Sequence, residues 1–260
     1  MKQISKLLLT AIAPALLLAA CGGGSDDNIN DRLDTADPQI RFVHAVPLSP
    51  DVALYRNGTL VREVNGVNYK FASEYLNFDT GATDLVLKNS SSGAQVGDNV
   101  PFDADRGHKY TLVALPAVAS TELMLIDDPY DKGLLSDKAR VRVLHAAFNS
   151  GKVDVYLTGV DQDITQVGPR FSAVEYKQAQ PASGSDSLGL DGGTYRLRIT
   201  TAGTKNVIFN TTVKLDDNAD WLLTAIPSGG VGTVVPNSLK VLLVKANDGS
   251  KTTQELTSED

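Results

Sequence analysis

The chain is poorest in the residues that usually carry chemistry. It has one cysteine, Cys21, and three histidines in 260 residues, so no internal disulfide can form and no pair of histidines stands at ligand spacing. No serine lies in a G-x-S-x-G elbow, so nucleophilic catalysis has no visible carrier. Lysine and arginine form no stripe, the net charge is −7 and the pI is about 5.0, which argues against nucleic acid as a partner. Beyond residue 38 there is no apolar run of the ~18 residues a membrane helix needs, and no long stretch of helical periodicity.

What is present begins at the N-terminus. Residues 1–20, MKQISKLLLTAIAPALLLAA, combine Lys2 and Lys6 with an apolar stretch ending in small residues, the layout of a secretory signal peptide. Leu18-Ala19-Ala20-Cys21 resembles the lipobox of bacterial lipoproteins, which implies diacylation of Cys21 and a membrane as partner. A lone exported thiol would otherwise be a liability. Each buried methylene contributes roughly 0.8 kcal/mol, so two or three acyl chains anchor a protein firmly. Gly22 stands where an Asp would favour retention in the inner membrane, so the resemblance favours the outer membrane of a Gram-negative cell, with the inner membrane and a Gram-positive host as alternatives. Residues 21–38 then read as the acylated cysteine and a flexible, Gly-rich and acidic tether, with an r.m.s. span of roughly 20 to 25 Å.

The remainder says nearly the same thing twice. IRFVHAVPLSPDVALYRNG (40–58) aligns without a gap with VRVLHAAFNSGKVDVYLTG (141–159), matching Arg41 with Arg142, His44 with His145, Ser49 with Ser150 and Tyr55 with Tyr156. FASEY (71–75) is echoed by FSAVEY (171–176), and KYTLVALP (109–116) by DWLLTAIP (220–227), pairing Tyr110 with Trp221 and Pro116 with Pro227. A period this long fits tandem domains and not a solenoid. The expected division is repeat 1 at 39–131, a linker at 132–139, repeat 2 at 140–250 and a disordered tail at 251–260.

Within each repeat the signals are those of strands. Ile40, Phe42 and His44 alternate with Arg41, Val43 and Ala45, which predicts one buried and one open face. Asn57-Gly58 between two extended runs predicts a tight hairpin, since both residues tolerate positive φ. Pro116 and Pro227 should close their strands. The expected fold is all-β: two tandem immunoglobulin-like β-sandwiches.

These residues resemble the opening of the bacterial family catalogued as domain of unknown function 4397, whose pattern runs V-R, two hydrophobic residues, H-A-S-P-D-A-P, then V-D-V-Y and a turn glycine. The resemblance implies exported or lipid-anchored tandem β-sandwiches and brings no chemistry with it. Ala53 stands where the family favours the Asp kept at Asp154. The second copy also carries a polar insertion, QAQPASGSDSLGLDGG (178–193).

The repeated histidines read as structural: His44 and His145 end the first strand of each repeat and would satisfy the loop that follows, since a fold device recurs with each copy while an active site need not. Asp127, Asp128 and Asp131, and Asp161 with Asp163, lack calcium-loop spacing and read as solvated turn carboxylates. No metal site and no cofactor are expected. The expected function is a non-catalytic, lipid-anchored cell-envelope protein, a binding or spacer module whose partner would be another envelope protein or a polysaccharide. Binding would use loop residues Pro47, Ser49 and Asp51, with Asn149, Ser150 and Lys152, and the 178–193 insertion. The alternative is an envelope hydrolase or metal-dependent enzyme with its site between the domains, which would show convergent polar groups in an interdomain cleft.

Overall fold

The Asn57-Gly58 hairpin forms as the dipeptide dictates. Both residues have positive φ, 48° and 78°, and Arg56 pairs with Thr59 across them, the two-residue turn whose twist matches its flanking strands. Around such turns the computed structural model, which describes residues 36–118, 120–133, 135–229, 235–246 and 248–259, builds two copies of one sandwich. The first holds β1 (Gln39–His44), β2 (Val52–Arg56), β3 (Thr59–Val67), β4 (Leu76–Asn77), β5 (Gly81–Asn89), β6 (Gln95–Ala104), β7 (Lys109–Pro116) and β8 (Thr121–Asp128). The second holds β9 (Ala139–His145), β10 (Val153–Thr158), β11 (Phe171–Val174), β12 (Gln178–Gln180), β13 (Leu188–Leu190), β14 (Gly193–Thr201), β15 (Val207–Leu215), β16 (Asp220–Pro227), β17 (Leu239–Lys245) and β18 (Gln254–Leu256). The all-β, two-sandwich architecture is the one expected from the sequence.

The sheets form four layers. The outer sheets are β3-β2-β5-β6 and β11-β10-β14-β15; the inner ones are β4-β1-β7-β8 and β12-β9-β16-β17-β18, with β13 also on β9. In both inner sheets the first strand lies parallel to the proline-ended strand, His44 opposite Ala114 and His145 opposite Ala225. One apolar core fills each sandwich, around Phe42, Leu54, Leu87 and Tyr110 in the first and Val155, Leu197, Phe209 and Trp221 in the second. A third core joins them: Val43, Ala45, Val113, Leu115 and Ile126 meet Leu144, Ala146, Leu222, Ile226 and Leu242. At roughly 1.5 to 3 kcal/mol for each large aliphatic side chain fully buried, this third layer holds the repeats face to face.

That layer corrects the expected alternation. β1, β7, β9 and β16 are buried on both faces, because the face that one sandwich alone would leave open is covered by the other. β1 and β9 run the same way. Near their C-terminal ends the Tyr176 hydroxyl donates to the Pro116 carbonyl at 3.0 Å, and near their starts Arg140 reaches Asp128. The two repeats thus meet inner sheet to inner sheet, like end against like end.

The structure also moves one repeat equivalence. Lys70 N–H donates to the His44 carbonyl and Lys177 N–H to that of His145, and both lysines have positive φ. Tyr69-Lys70-Phe71-Ala72 is therefore answered by Tyr176-Lys177-Gln178-Ala179, not FASEY by FSAVEY. Phe171 instead lies in β11 against Val155, because the longer β10–β11 connection has shifted the offset. The tail expected to be disordered is ordered at β18, which pairs with β17 and places Leu256 in the second core.

Candidate functional site

Each repeated histidine locks the loop beyond it. His44 is fully buried; its Nδ1 accepts the Val46 N–H at 3.3 Å, and its Nε2 faces Ser49 Oγ at 3.3 Å. Ser49 Oγ–H in turn donates to the Pro50 carbonyl. His145 repeats the device: Nδ1 accepts from Ala147 N–H at 3.3 Å, and Nε2 reaches the Gly151 carbonyl at 2.9 Å. Since Nδ1 accepts in both, the network assigns the neutral tautomer with its proton on Nε2. Burial drives the His44 imidazole down to about 4, against an upward pull from the Pro50 carbonyl and Asp51. His145 is likewise lowered by burial, opposed by the Gly151 carbonyl. Among the described residues no group of three or more His, Cys, Asp or Glu is placed to hold a metal.

The loops chosen from the sequence lie together at the C-terminal ends of β1 and β9, with their polar groups engaged. Asn149 Nδ2 donates to the Val235 and Ser238 carbonyls, Ser49 and Ser150 serve the histidines, and Lys152 pairs with Glu175. Pro47 is buried, and Asp51 is exposed. The 178–193 insertion does not join them. It runs along the edge of β9 as a clamp, from β12 beside His145 to β13 beside Ala139; Arg142 donates to the Pro181, Ala182 and Ser185 carbonyls, and Ser183 accepts the Asp127 N–H. Insertion residues are drawn there by buried cations that need acceptors.

Those cations form a cluster between the repeats. Arg41, Arg140 and Arg142 are each at most 5% exposed, although on a lone sandwich they would face water. Asp128, read from the sequence as a solvated turn carboxylate, is only 8% exposed and is the centre of the cluster. It accepts from Arg140 at 2.8 Å, Arg142 at 3.1 Å, Ser187 at 2.6 Å and the Tyr130 N–H at 2.9 Å. Nearby arginines hold its carboxyl below the usual range against the opposing effect of burial. Arg140 also meets Asp220 and Asp186, and its guanidinium lies 4.1 Å from the centre of the buried Tyr130 ring. Lys132 and Ala139, at the two ends of the expected linker, are buried as well, so the linker is part of the packing. The cavity in this cluster measures about 20 Å³, the size of a single water and too small for a substrate.

A roomier concavity lies elsewhere. A groove of about 640 Å³ runs along one edge of the first sandwich, between β3 of the outer sheet and β1–β4 of the inner, within the range of ligand sites. Its walls carry Gln39, Arg56, Asn57, Glu63, Tyr75 and Asn77 beside the apolar Leu60, Val61, Leu76 and Phe78. Gln39 Nε2 donates to Asn77 Oδ1 at 2.8 Å, while Gln39 Oε1 is buried without a partner. The Arg56 guanidinium sits 5.2 Å from the Phe78 ring. In the second sandwich the corresponding edge of β9 is taken by β12 and β13, so the groove is a feature of one repeat. Sequence reasoning missed it, because it sought function in what repeats and in loops. The cue was the brevity of the first copy where the second has its insertion.

The family described as Domain of unknown function (DUF4397) matches residues 38–156, which spans the first sandwich and continues through β9 into β10. Asp154, kept in the second copy, is buried and accepts the N–H groups of Ala173 and Gly203 at 2.7 and 2.8 Å, a backbone-holding role that Ala53 cannot perform. No curated protein matches the sequence. Nine solved chains match, among them the crystal structure of CBMbc (family CBM26) from Eubacterium rectale Amy13K in complex with maltoheptaose. That chain is 11% identical, with 85% of this chain and 98% of that chain covered at a TM-score of 0.24. So low a TM-score carries nothing about this chain's ligand.

Proposed function

We propose that the protein is a lipid-anchored, non-catalytic binding module of the bacterial cell envelope, and that it binds in the groove of its first sandwich. One observation carries the reading. The repeated histidines and the interdomain charges are consumed in holding the structure, while a groove of about 640 Å³ in the first sandwich is lined by amides, a guanidinium and apolar edges. Both repeated imidazoles clamp loops, and the interdomain charges surround a water-sized cavity, which supports the binding module over the rival enzyme between the repeats. Paired amide and guanidinium groups beside the half-buried edges of Tyr75, Leu60, Val61 and Leu76 suit a chain rich in hydroxyls, so an envelope polysaccharide is the partner this reading favours over another envelope protein.

The anchor rests on Leu18-Ala19-Ala20-Cys21, which lies outside the described residues, as do the signal peptide and most of the tether. With Gly22 after the cysteine, the outer membrane is the compartment proposed. Cys21→Ser should move the protein from the membrane fraction to a soluble or uncleaved form. A mature protein whose Cys21 carries a free thiol by mass spectrometry would overturn the anchor.

A further inference from the structure

Among the described residues, Arg41 is the arginine of the interdomain cluster with no acid at ion-pair distance. It is 4% exposed; its Nε donates to Thr111 Oγ1 at 3.0 Å, its guanidinium lies 4.9 Å from the centre of the Tyr75 ring, and its Nη1 is buried with no partner. Its repeat counterpart Arg142 has Asp128. Asp128 cannot serve both, because each of its oxygens already accepts two hydrogen bonds. Arg41 lines the same small cavity as Arg140, Arg142 and Ser187, together with the carboxylates Asp128 and Asp220, so the charged groups of its wall are three guanidiniums against two carboxylates. A buried cation without a counter-charge is strongly unfavourable, and a cavity of about 20 Å³ holds one particle of about water's size. A water there would leave the one excess positive charge of the wall uncompensated.

We propose that this cavity binds one small monovalent anion of halide size, chloride in particular, as the counter-ion of Arg41 between the repeats. Polyatomic oxyanions such as sulfate are too large for it. The arrangement makes the anion a stabiliser of the joined pair of sandwiches, independent of what the groove binds.

The test is thermal unfolding of the full chain in sodium chloride against sodium gluconate at matched ionic strength. Chloride at a hundredfold excess over its Kd should raise the midpoint by roughly 5 to 10 °C. Arg41→Gln should lose that response and melt in gluconate at or above the wild-type midpoint, since it no longer buries the uncompensated charge. Equal midpoints in the two salts, or an undiminished chloride response in Arg41→Gln, would overturn the proposal. Should Arg41→Gln fail to fold, ³⁵Cl NMR of the wild-type protein decides. Excess line broadening displaced by bromide supports the site, and its absence means that the cavity holds water only.

Discussion

Acidification from pH 7 toward 4 should lower the stability of the fold by about 3 kcal/mol through His44, with most of the loss reached by pH 4.5. Burial lowers the folded-state imidazole to about 4 from an ordinary value of 6.5. Between those values the unfolded chain binds a proton that the folded chain refuses, so stability falls as pH falls, by about 1.4 kcal/mol per unit at most. The geometry says why: protonating Nδ1 would set a second donor against the Val46 N–H, in a site with no exposure to water. His44→Asn isolates the effect, because an amide oxygen can replace Nδ1 as acceptor but does not titrate. Urea unfolding of both proteins should show stability curves that diverge below pH 6.5, with the steeper fall in the wild type. His145, lowered in the same direction, remains in both and cancels. Parallel curves would refute the reasoning. So would a large zinc-dependent shift of the melting midpoint that vanished in His44→Asn, which would make the histidine a ligand.

Two further outcomes follow from the interdomain packing. Asp128→Asn leaves Arg140 and Arg142 without their shared carboxylate and should lower stability by about 3 to 5 kcal/mol, read from urea unfolding; a loss below ~1 kcal/mol would contradict the central place given to Asp128. Residues 39–131 and 138–259 each carry a core, so each fragment should be rich in β structure and melt cooperatively. Each would also bare an apolar inner face, so sedimentation should show self-association that gives way to a one-to-one complex on mixing, and two structureless halves would refute the independence of the cores.

The sequence displayed the repeat, the hairpin at Asn57-Gly58 and the strand-ending prolines because these depend on local chemistry, positive φ and a missing N–H. It concealed whatever depends on the two repeats meeting. Arg41 and Arg142 alternate with apolar neighbours as a solvated face would, and only the opposed sheet turns that face into an interior. Two arginines at alternate positions of one strand, Arg140 and Arg142, were a legible demand for a buried acid, yet which of several aspartates answered it was set by the fold. The histidine loops were readable as repeated devices. The groove was not, since it arises from the shortness of β4 beside the free edge of β3, and an absent segment leaves no motif.

Binding of purified envelope polysaccharide to the full chain, compared between groove and loop variants, tests the central claim most directly. Leu60→Arg with Asn77→Ala alters the groove walls at half-buried and exposed positions, and Lys152→Ala with Asp51→Ala alters the histidine loops. The account predicts saturable binding that weakens at least tenfold in the groove variant, about 1.4 kcal/mol, with an unchanged melting midpoint and with the loop variant binding as wild type. Loss of binding in the loop variant alone, or no binding by the wild type, would contradict it.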